Sequence, residues 1–390
     1  MDSDDEAPPE LIEAPVAGDG SGVTSSASAE EGLAGAPRSA PVPVTILTGF
    51  LGAGKTTLLN HLLKSAGGRR IAVVENEFGQ GLDIESLIAR DGVSGGGGES
   101  GLTRLVELSN GCVCCSVKDD LAAALEELVR RSGLELEHIV IEASGMAHPG
   151  PVASMLWLDG ELESLIQLDG IITVVDLYHL ERNLGDGGDK AAGTAATCAA
   201  QIAYADRVIL NKADLIGEDQ AEMARLRAVI QELNGLAEVQ VSERGVVSIE
   251  WVLDVHAYVG GVGAVRSETA PAAVDHVHPV GVSSMSLVLS GEVDLEALNR
   301  WLGDVLWETP QGSGDRPFGF LAQQLYRIKG VLAAPGDVHK HIVQAVHELF
   351  EVCPTGEAWE TTEQRECRFV FIGRYLDRRA IEEGVRRCTI

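Results

Sequence analysis

Residues 42–56 read Val42-Pro43-Val44-Thr45-Ile46-Leu47-Thr48-Gly49-Phe50-Leu51-Gly52-Ala53-Gly54-Lys55-Thr56, a short apolar run that opens into a glycine loop. The segment 49–56 matches G-x-x-x-x-G-K-[ST], and it stands between a strand-like run and a helix-like stretch at 57–63. In that setting the loop's backbone N–H groups and the helix start cradle phosphates. Lys55 is placed to reach β and γ oxygens, and the Thr56 hydroxyl to ligate magnesium.

Further apolar runs at 71–74, 105–108, 139–141, 171–175 and 208–210 predict more strands, and 121–130 predicts another helix. Strands that are apolar throughout, alternating with helices, predict a mostly parallel sheet covered on both faces, an α/β fold. Two of these runs end in chemistry. After 208–210 comes Asn211-Lys212-Ala213-Asp214. A buried Asp214 carboxylate accepts hydrogen bonds from the N1–H and exocyclic amine of guanine, groups that adenine does not present in that geometry. The tetrapeptide therefore selects GTP and GDP over adenine nucleotides by a few kcal/mol, roughly. Asn211 would brace the loop and the Lys212 stem would lie over the base. After 139–141 comes Glu142-Ala143-Ser144-Gly145, an acidic residue where such folds hold magnesium through water. Gly145 would let backbone approach the γ-phosphate. Asp176, at the end of 171–175, is the alternative magnesium holder, and the glycine close behind Glu142 favours Glu142.

Between these motifs lies Gly111-Cys112-Val113-Cys114-Cys115-Ser116, which holds three of the chain's seven cysteines. Adjacent cysteines make poor disulfide staples, whereas dense thiolates suit a soft or borderline metal such as zinc or copper(I). The other four, Cys198, Cys353, Cys367 and Cys388, are scattered, as expected in a reducing compartment such as the cytoplasm. Zinc takes about four ligands, so three cysteines leave a position for a carboxylate, a water or a client residue. Glu77 is a candidate for that position or for sensing the γ-phosphate. His276 and His278 read as linker residues.

The chain of 390 residues carries a formal charge of −29, which repels phosphate backbones and argues against nucleic acid as a partner. No uninterrupted apolar run is long enough for a membrane span. Residues 1–42 hold nine acidic residues against Arg38 alone and too little apolar surface to offset ordering, so a disordered tail is expected. Residues 43–259 form the expected nucleotide domain, 260–279 a linker, and 280–390 a smaller α+β domain. In the last, 283–289, 325–332 and 368–372 read as strands, and the leucines at 295, 298, 302 and 306 have helical spacing. A charged helix is expected near 377–387. The glycine-rich stretches 92–101 and 185–193 read as flexible surface insertions.

Together these motifs resemble the CobW-type metallochaperone GTPases of the P-loop class, most closely the eukaryotic zinc-regulated GTPase metalloprotein activators. The carriers are 49–56, Asn76-Glu77-Phe78-Gly79, Asn110 to Cys115, 142–145 and 211–214, joined by Arg327-Ile328-Lys329-Gly330, Val346-His347-Glu348-Leu349 and Phe371-Ile372-Gly373-Arg374. The resemblance runs from about residue 42 to the C-terminus. It implies zinc ligation by Cys112, Cys114 and Cys115, and GTP contact by Cys115, Ser116, Val117, Lys118 and Asp119. It implies a magnesium-dependent GTPase that passes zinc to a client metalloprotein. The tail stretch Pro8-Pro9-Glu10-Leu11-Ile12-Glu13 is similar to that branch's docking motif for type 1 methionine aminopeptidase, but has Pro8 where Cys is usual and Glu13 where Pro is usual. Two other readings stay open: a non-catalytic zinc-sensing regulator that binds nucleotide, and a cobalt or nickel insertion GTPase.

Overall fold

The apolar run Val42–Thr48 forms strand β1, and its neighbours explain why it is apolar on both sides. The computed structural model describes residues 40–77, 104–109, 116–132, 136–158, 164–185, 189–258, 281–307 and 325–390. Strands β2 (Ile71–Glu77), β3 (Arg104–Ser109), β4 (His138–Ala143), β5 (Ile166–Asp176), β6 (Arg207–Asn211) and β7 (Glu238–Val241) join β1 in one sheet. The order is β3-β2-β4-β1-β5-β6-β7, and every pairing is parallel. Ile139 and Ile141 point into a core with Leu121, Leu125 and Leu128 of helix α2 (Ser116–Ser132) and Ala153 of α3 (Gly150–Leu158). Val140, between them, packs on the other face against Leu58, Leu59 and Leu62 of α1 (Lys55–Lys64). Alternate residues thus serve two buried faces, which turns the usual strand alternation into a continuous apolar run.

The chain leaves β1 for β2 on one side, and β5 lies on the other, so the strand order reverses at β1. Loops at the carboxyl edge beside such a reversal are where open α/β sheets bind ligands. On the β5 side lie α4 (Leu180–Leu184), α5 (Asp189–Tyr204), α6 (Gln220–Leu233) and the short α7 (Ile249–Val252). The expected insertion at 185–193 is corrected in its second half, because α5 begins at Asp189. The Lys190-Ala191-Ala192 run supplies good helix formers, which outweigh the glycines on either side. The stretch 92–101, the 260–279 linker with His276 and His278, and tail residues 8–13 lie outside the described residues.

A second sheet follows, with β8 (Val282–Ser290), β9 (Leu325–Ala333), β10 (His339–Val346), β11 (Leu349–Ala358) and β12 (Glu366–Arg374). It is antiparallel in the order β11-β10-β9-β12-β8. Helices α8 (Leu295–Trp307) and α9 (Arg378–Arg386) cover one face through Leu298, Trp301, Leu302, Ile381 and Val385. From the other face Val282, Val370 and Ile372 join the core of α5 and α6. Among the described residues no helix is long and apolar enough to cross a membrane.

One buried ionic staple ties the sheets together. Arg327 of β9, 1% exposed, donates through Nη1 to the carbonyls of Tyr204 (2.9 Å) and Ala205 (2.7 Å) at the end of α5. Its Nη2 pairs with Asp206, whose other oxygen accepts the Ile171 N–H at 2.9 Å. Lys329 stands 3.5 Å from the same carboxylate. Burial alone would raise the Asp206 pKa, but the charges of Arg327 and Lys329 outweigh it and hold the carboxyl low. Burial, aided by Arg327, pulls Lys329 down to about 8.

A second buried group gives the molecule an expected pH dependence. His138, 2% exposed, meets the Thr45 hydroxyl at 2.8 Å, and Thr45 donates onward to Asp169 at 3.2 Å. Burial lowers the His138 pKa from 6.5 to about 4, against the opposing pull of Asp169 and Asp254. The unfolded chain then takes up a proton near pH 6.5 that the native state refuses until about 4, so stability falls as pH drops through that window. The loss is on the order of 3 kcal/mol. Thermal melting followed from pH 8 to 4 should show this decline, and His138→Gln should flatten it. Equal slopes for the two proteins would contradict the assignment.

Candidate nucleotide site

The loop after β1 is built by three glycines in left-handed backbone, Gly49 (φ 143°), Gly52 (φ 74°) and Gly54 (φ 105°). At two of them space as well as φ demands glycine. A Cβ on Gly49 would lie 2.2 Å from the Val174 carbonyl oxygen, and one on Gly54 would lie 2.3 Å from Asn211 Nδ2. Gly54 enters α1 with no side-chain cap, whereas α6 is capped by Asp219, which accepts from Ala221 N and Glu222 N. The first N–H groups of α1 are therefore left for an anion. Lys55 is buried, and its Nζ donates to the Gly49 carbonyl at 2.8 Å, which holds the ammonium inside the loop.

Thr56 Oγ1 donates to Glu142 Oε1 at 3.2 Å across the gap between α1 and the end of β4. A hydroxyl and a carboxylate oxygen side by side next to a phosphate loop form the hard-oxygen donor pair that magnesium takes. Asp176, the alternative, is differently engaged. It accepts from Lys212 Nζ at 2.7 Å and from His179 through its backbone N–H (3.2 Å) and Nδ1 (2.9 Å). Burial would raise its pKa, but these partners hold it below the ordinary carboxylate value.

At the end of β6, Asn211 is buried and joins three segments. Its Nδ2 donates to the Ala53 carbonyl at 2.9 Å, and its Oδ1 accepts the Gly245 N–H at 2.9 Å. Lys212 then takes φ 63° and a tight turn carries Ala213 and Asp214. Asp214 is exposed rather than buried as the sequence predicts, because the short turn projects from the sheet edge with none of the described residues packed over it. The Ala213 N–H donates to the Ser242 carbonyl at 3.2 Å. Segment 242–245, after β7, is thus part of the site, and sequence reasoning passed over it. Its one signal is Gly245 (φ 73°), where a Cβ would stand 2.9 Å from Leu58 N.

Gly145 also meets the loop. A Cβ there would lie 2.8 Å from Leu51 N, so the turn at 144–147 rests on the backbone of 49–56. Gln201 of α5, 1% exposed, holds that turn by donating from Nε2 to the carbonyls of Gly145 (3.1 Å) and Ala147 (3.0 Å). This residue, too, has no motif to announce it.

Cys112, Cys114 and Cys115 lie outside the described residues. The elements on either side of them are described. Strand β3 ends at Ser109, opposite Glu77 of β2, at the carboxyl edge of the sheet that carries the phosphate loop. Residues Ser116, Val117, Lys118 and Asp119 form the first turn of α2. Cys198, Cys353, Cys367 and Cys388 are free thiols, and burial pushes Cys198 up to about 12, out of reach of ligand chemistry. Among the described residues, no group of three or more His, Cys, Asp or Glu side chains is placed to hold a metal ion.

A strand, a glycine loop opening an uncapped helix, and an Asn-Lys-x-Asp turn two strands away at one edge of a parallel sheet define a P-loop nucleotide-binding protein. Residues 43–241 match the family model for the CobW/HypB/UreG nucleotide-binding domain, and residues 282–389 match that for the C-terminal domain of the cobalamin synthesis protein CobW. The chain belongs to the CobW family. It is 35% identical over 365 residues to zinc-regulated GTPase metalloprotein activator 1 of Schizosaccharomyces pombe, an alignment spanning 87% of this chain and 84% of that one. It is 35% identical to the zinc chaperone CobW of Pseudomonas aeruginosa, over 89% of this chain and 91% of that one. Among solved structures, the Zn(II)-bound YjiA GTPase of Escherichia coli superposes with a TM-score of 0.67 at 26% identity, covering 90% of this chain and 99% of that one.

Proposed function

We propose that this chain is a GTP-hydrolysing zinc chaperone that delivers zinc to a client metalloprotein. The observation that carries the nucleotide half is Asn211, whose one amide binds the phosphate loop at Ala53 and the 242–245 loop at Gly245. Phosphate grip and base grip are thereby built as one unit. In this reading Lys55 follows charge onto the γ-phosphate, Thr56 and Glu142 hold magnesium, and Gly145 brings backbone to the γ-phosphate. Asp214 reads the guanine edge while the Lys212 stem covers the base. The magnesium that Thr56 and Glu142 would hold would supply charge neutralisation to the phosphates.

The zinc half rests on the three thiols that the sequence sets within four positions, Cys112, Cys114 and Cys115, with Glu77 at the end of β2 as the candidate further ligand. The similarity to the S. pombe zinc-regulated GTPase metalloprotein activator 1 and to the P. aeruginosa zinc chaperone CobW supports it. Zinc is the cargo, and residues 115–119, which in this reading contact GTP, follow directly on the cysteines in sequence, so the state of one can alter the other. The proposed client is a type 1 methionine aminopeptidase, engaged by residues 8–13 with Leu11 and Ile12 as apolar anchors.

The nucleotide reading is tested on the purified full chain. GTP should be preferred to ATP by about 100-fold in kcat/KM. Asp214→Asn exchanges an acceptor for a donor, so it should depress GTP turnover and raise turnover of xanthosine triphosphate, whose C2 carbonyl accepts. Comparable GTP and ATP turnover in the wild type would overturn the guanine assignment.

A further inference from the structure

We infer that Gln201 is a positioning residue for GTP hydrolysis, clamping the 144–147 turn in the form that faces the γ-phosphate. The inference rests on the GTPase reading above and adds a residue that no sequence motif marks.

A buried primary amide is costly unless its hydrogens are bonded. Both Nε2 hydrogens of Gln201 go to carbonyls of a single turn, Gly145 at 3.1 Å and Ala147 at 3.0 Å. Gln201 Oε1 is buried with no hydrogen-bond partner among the described residues. The opposite amide orientation would set Oε1 against two carbonyl oxygens, so the two acceptors fix the side chain's orientation at that expense. Within the turn, Ala147 N–H donates to the Ser144 carbonyl at 2.9 Å. A peptide plane is trans, so each held carbonyl throws the next N–H to the opposite side. The Ser144 and Gly145 carbonyls being held, the N–H directions of Gly145 and Met146 are set, in a turn that abuts Leu51 of the phosphate loop.

The clamp is itself anchored. The Gln201 carbonyl accepts from Thr173 Oγ1 at 2.7 Å, beside the Val174 carbonyl that hems in Gly49. Just beyond Gln201 in the chain, the Tyr204 and Ala205 carbonyls take Arg327 of the C-terminal sheet. The turn at the γ-phosphate is thus pinned to a helix whose end the second sheet grips.

The test uses the full chain and the variants Gln201→Leu and Gln201→Glu, the second nearly isosteric but placing an oxygen against both carbonyls. Loss of positioning should lower kcat about 100-fold, while the affinity for GDP stays within about 3-fold. Affinity for a non-hydrolysable GTP analogue should fall about 10-fold relative to GDP. If GDP affinity falls in step with turnover, Gln201 is only a structural amide and the inference is overturned. Unchanged turnover and an unchanged analogue-to-GDP ratio overturn it equally, leaving the GTPase reading intact. A wild type that binds but does not hydrolyse GTP leaves the analogue-to-GDP ratio to decide. A wild type that binds no guanine nucleotide sinks both. Should the variants fail to fold, hydrogen exchange on the wild type decides. Peptides over 143–149 and 197–206 must gain protection together when the analogue replaces GDP, and a response confined to the first contradicts the clamp.

Discussion

Lys55→Ala is expected to lower GTP turnover by about 10³-fold, the cost of removing a preorganised cation from the path of a migrating phosphoryl group. The geometry sharpens the expectation. Lys55 Nζ is held at 2.8 Å by the Gly49 carbonyl, inside the loop and largely shielded from water. A charge so placed needs little reorganisation as the γ-phosphate separates, and its low-dielectric setting strengthens its effect. The fold should survive, because Leu58, Leu59 and Leu62 anchor α1 independently of the lysine. Single-turnover kinetics alongside thermal melting checks this. A folded Lys55→Ala protein with turnover within about 10-fold of wild type would contradict the assigned role.

Replacing Cys112, Cys114 and Cys115 together by Ser should weaken zinc binding by about three orders of magnitude or more, since serine hydroxyls do not ionise to become ligands near neutral pH. GDP affinity should change little, because the phosphate and base loops hold each other through Asn211. In the wild type, zinc affinity should rise with pH as the thiols lose their protons. Competition titration against a zinc chelator at pH 6.5, 7.5 and 8.5 measures both effects. Zinc binding by the triple variant as tight as wild type would move the site elsewhere, with His276 and His278 the next residues to replace.

Much of the nucleotide site was legible in the chain because its chemistry is local. Residues 49–56 and 211–214 each do their work through backbone turns that a few consecutive residues dictate, and both runs follow apolar strands visible as such. The strands β1, β4, β5 and β6 were read for the same reason, being apolar runs buried on both faces. What escaped was non-local. Gln201 looks like an ordinary helix residue until the fold brings it 3.1 Å from the Gly145 carbonyl. Arg327 stood out only through resemblance, and its burial against Asp206 depends on the packing of two sheets.

Three strands with polar runs escaped as well. The edge strand β7, Glu-Val-Gln-Val, is half-exposed and polar. Strand β10 opens with the polar His339-Lys340-His341. The edge strand β11 carries Pro354 and Gly356, residues that edge strands tolerate and central strands do not. The sequence favoured Glu142 over Asp176 only through the glycine close behind it, since both end apolar strands. Their difference lies in partners, Thr56 for one and Lys212 for the other.

The central claim is that GTP hydrolysis drives zinc from this chain to a client. Its most direct test is zinc transfer from the loaded full-length protein to a metal-free type 1 methionine aminopeptidase, followed as recovered peptidase activity and as metal content of the separated client. The account predicts transfer with GTP that slows by about 10-fold or more with the non-hydrolysable analogue or with Lys55→Ala, and that also falls when residues 1–40 are removed. Transfer at one rate in GTP, in the analogue and without nucleotide would contradict it.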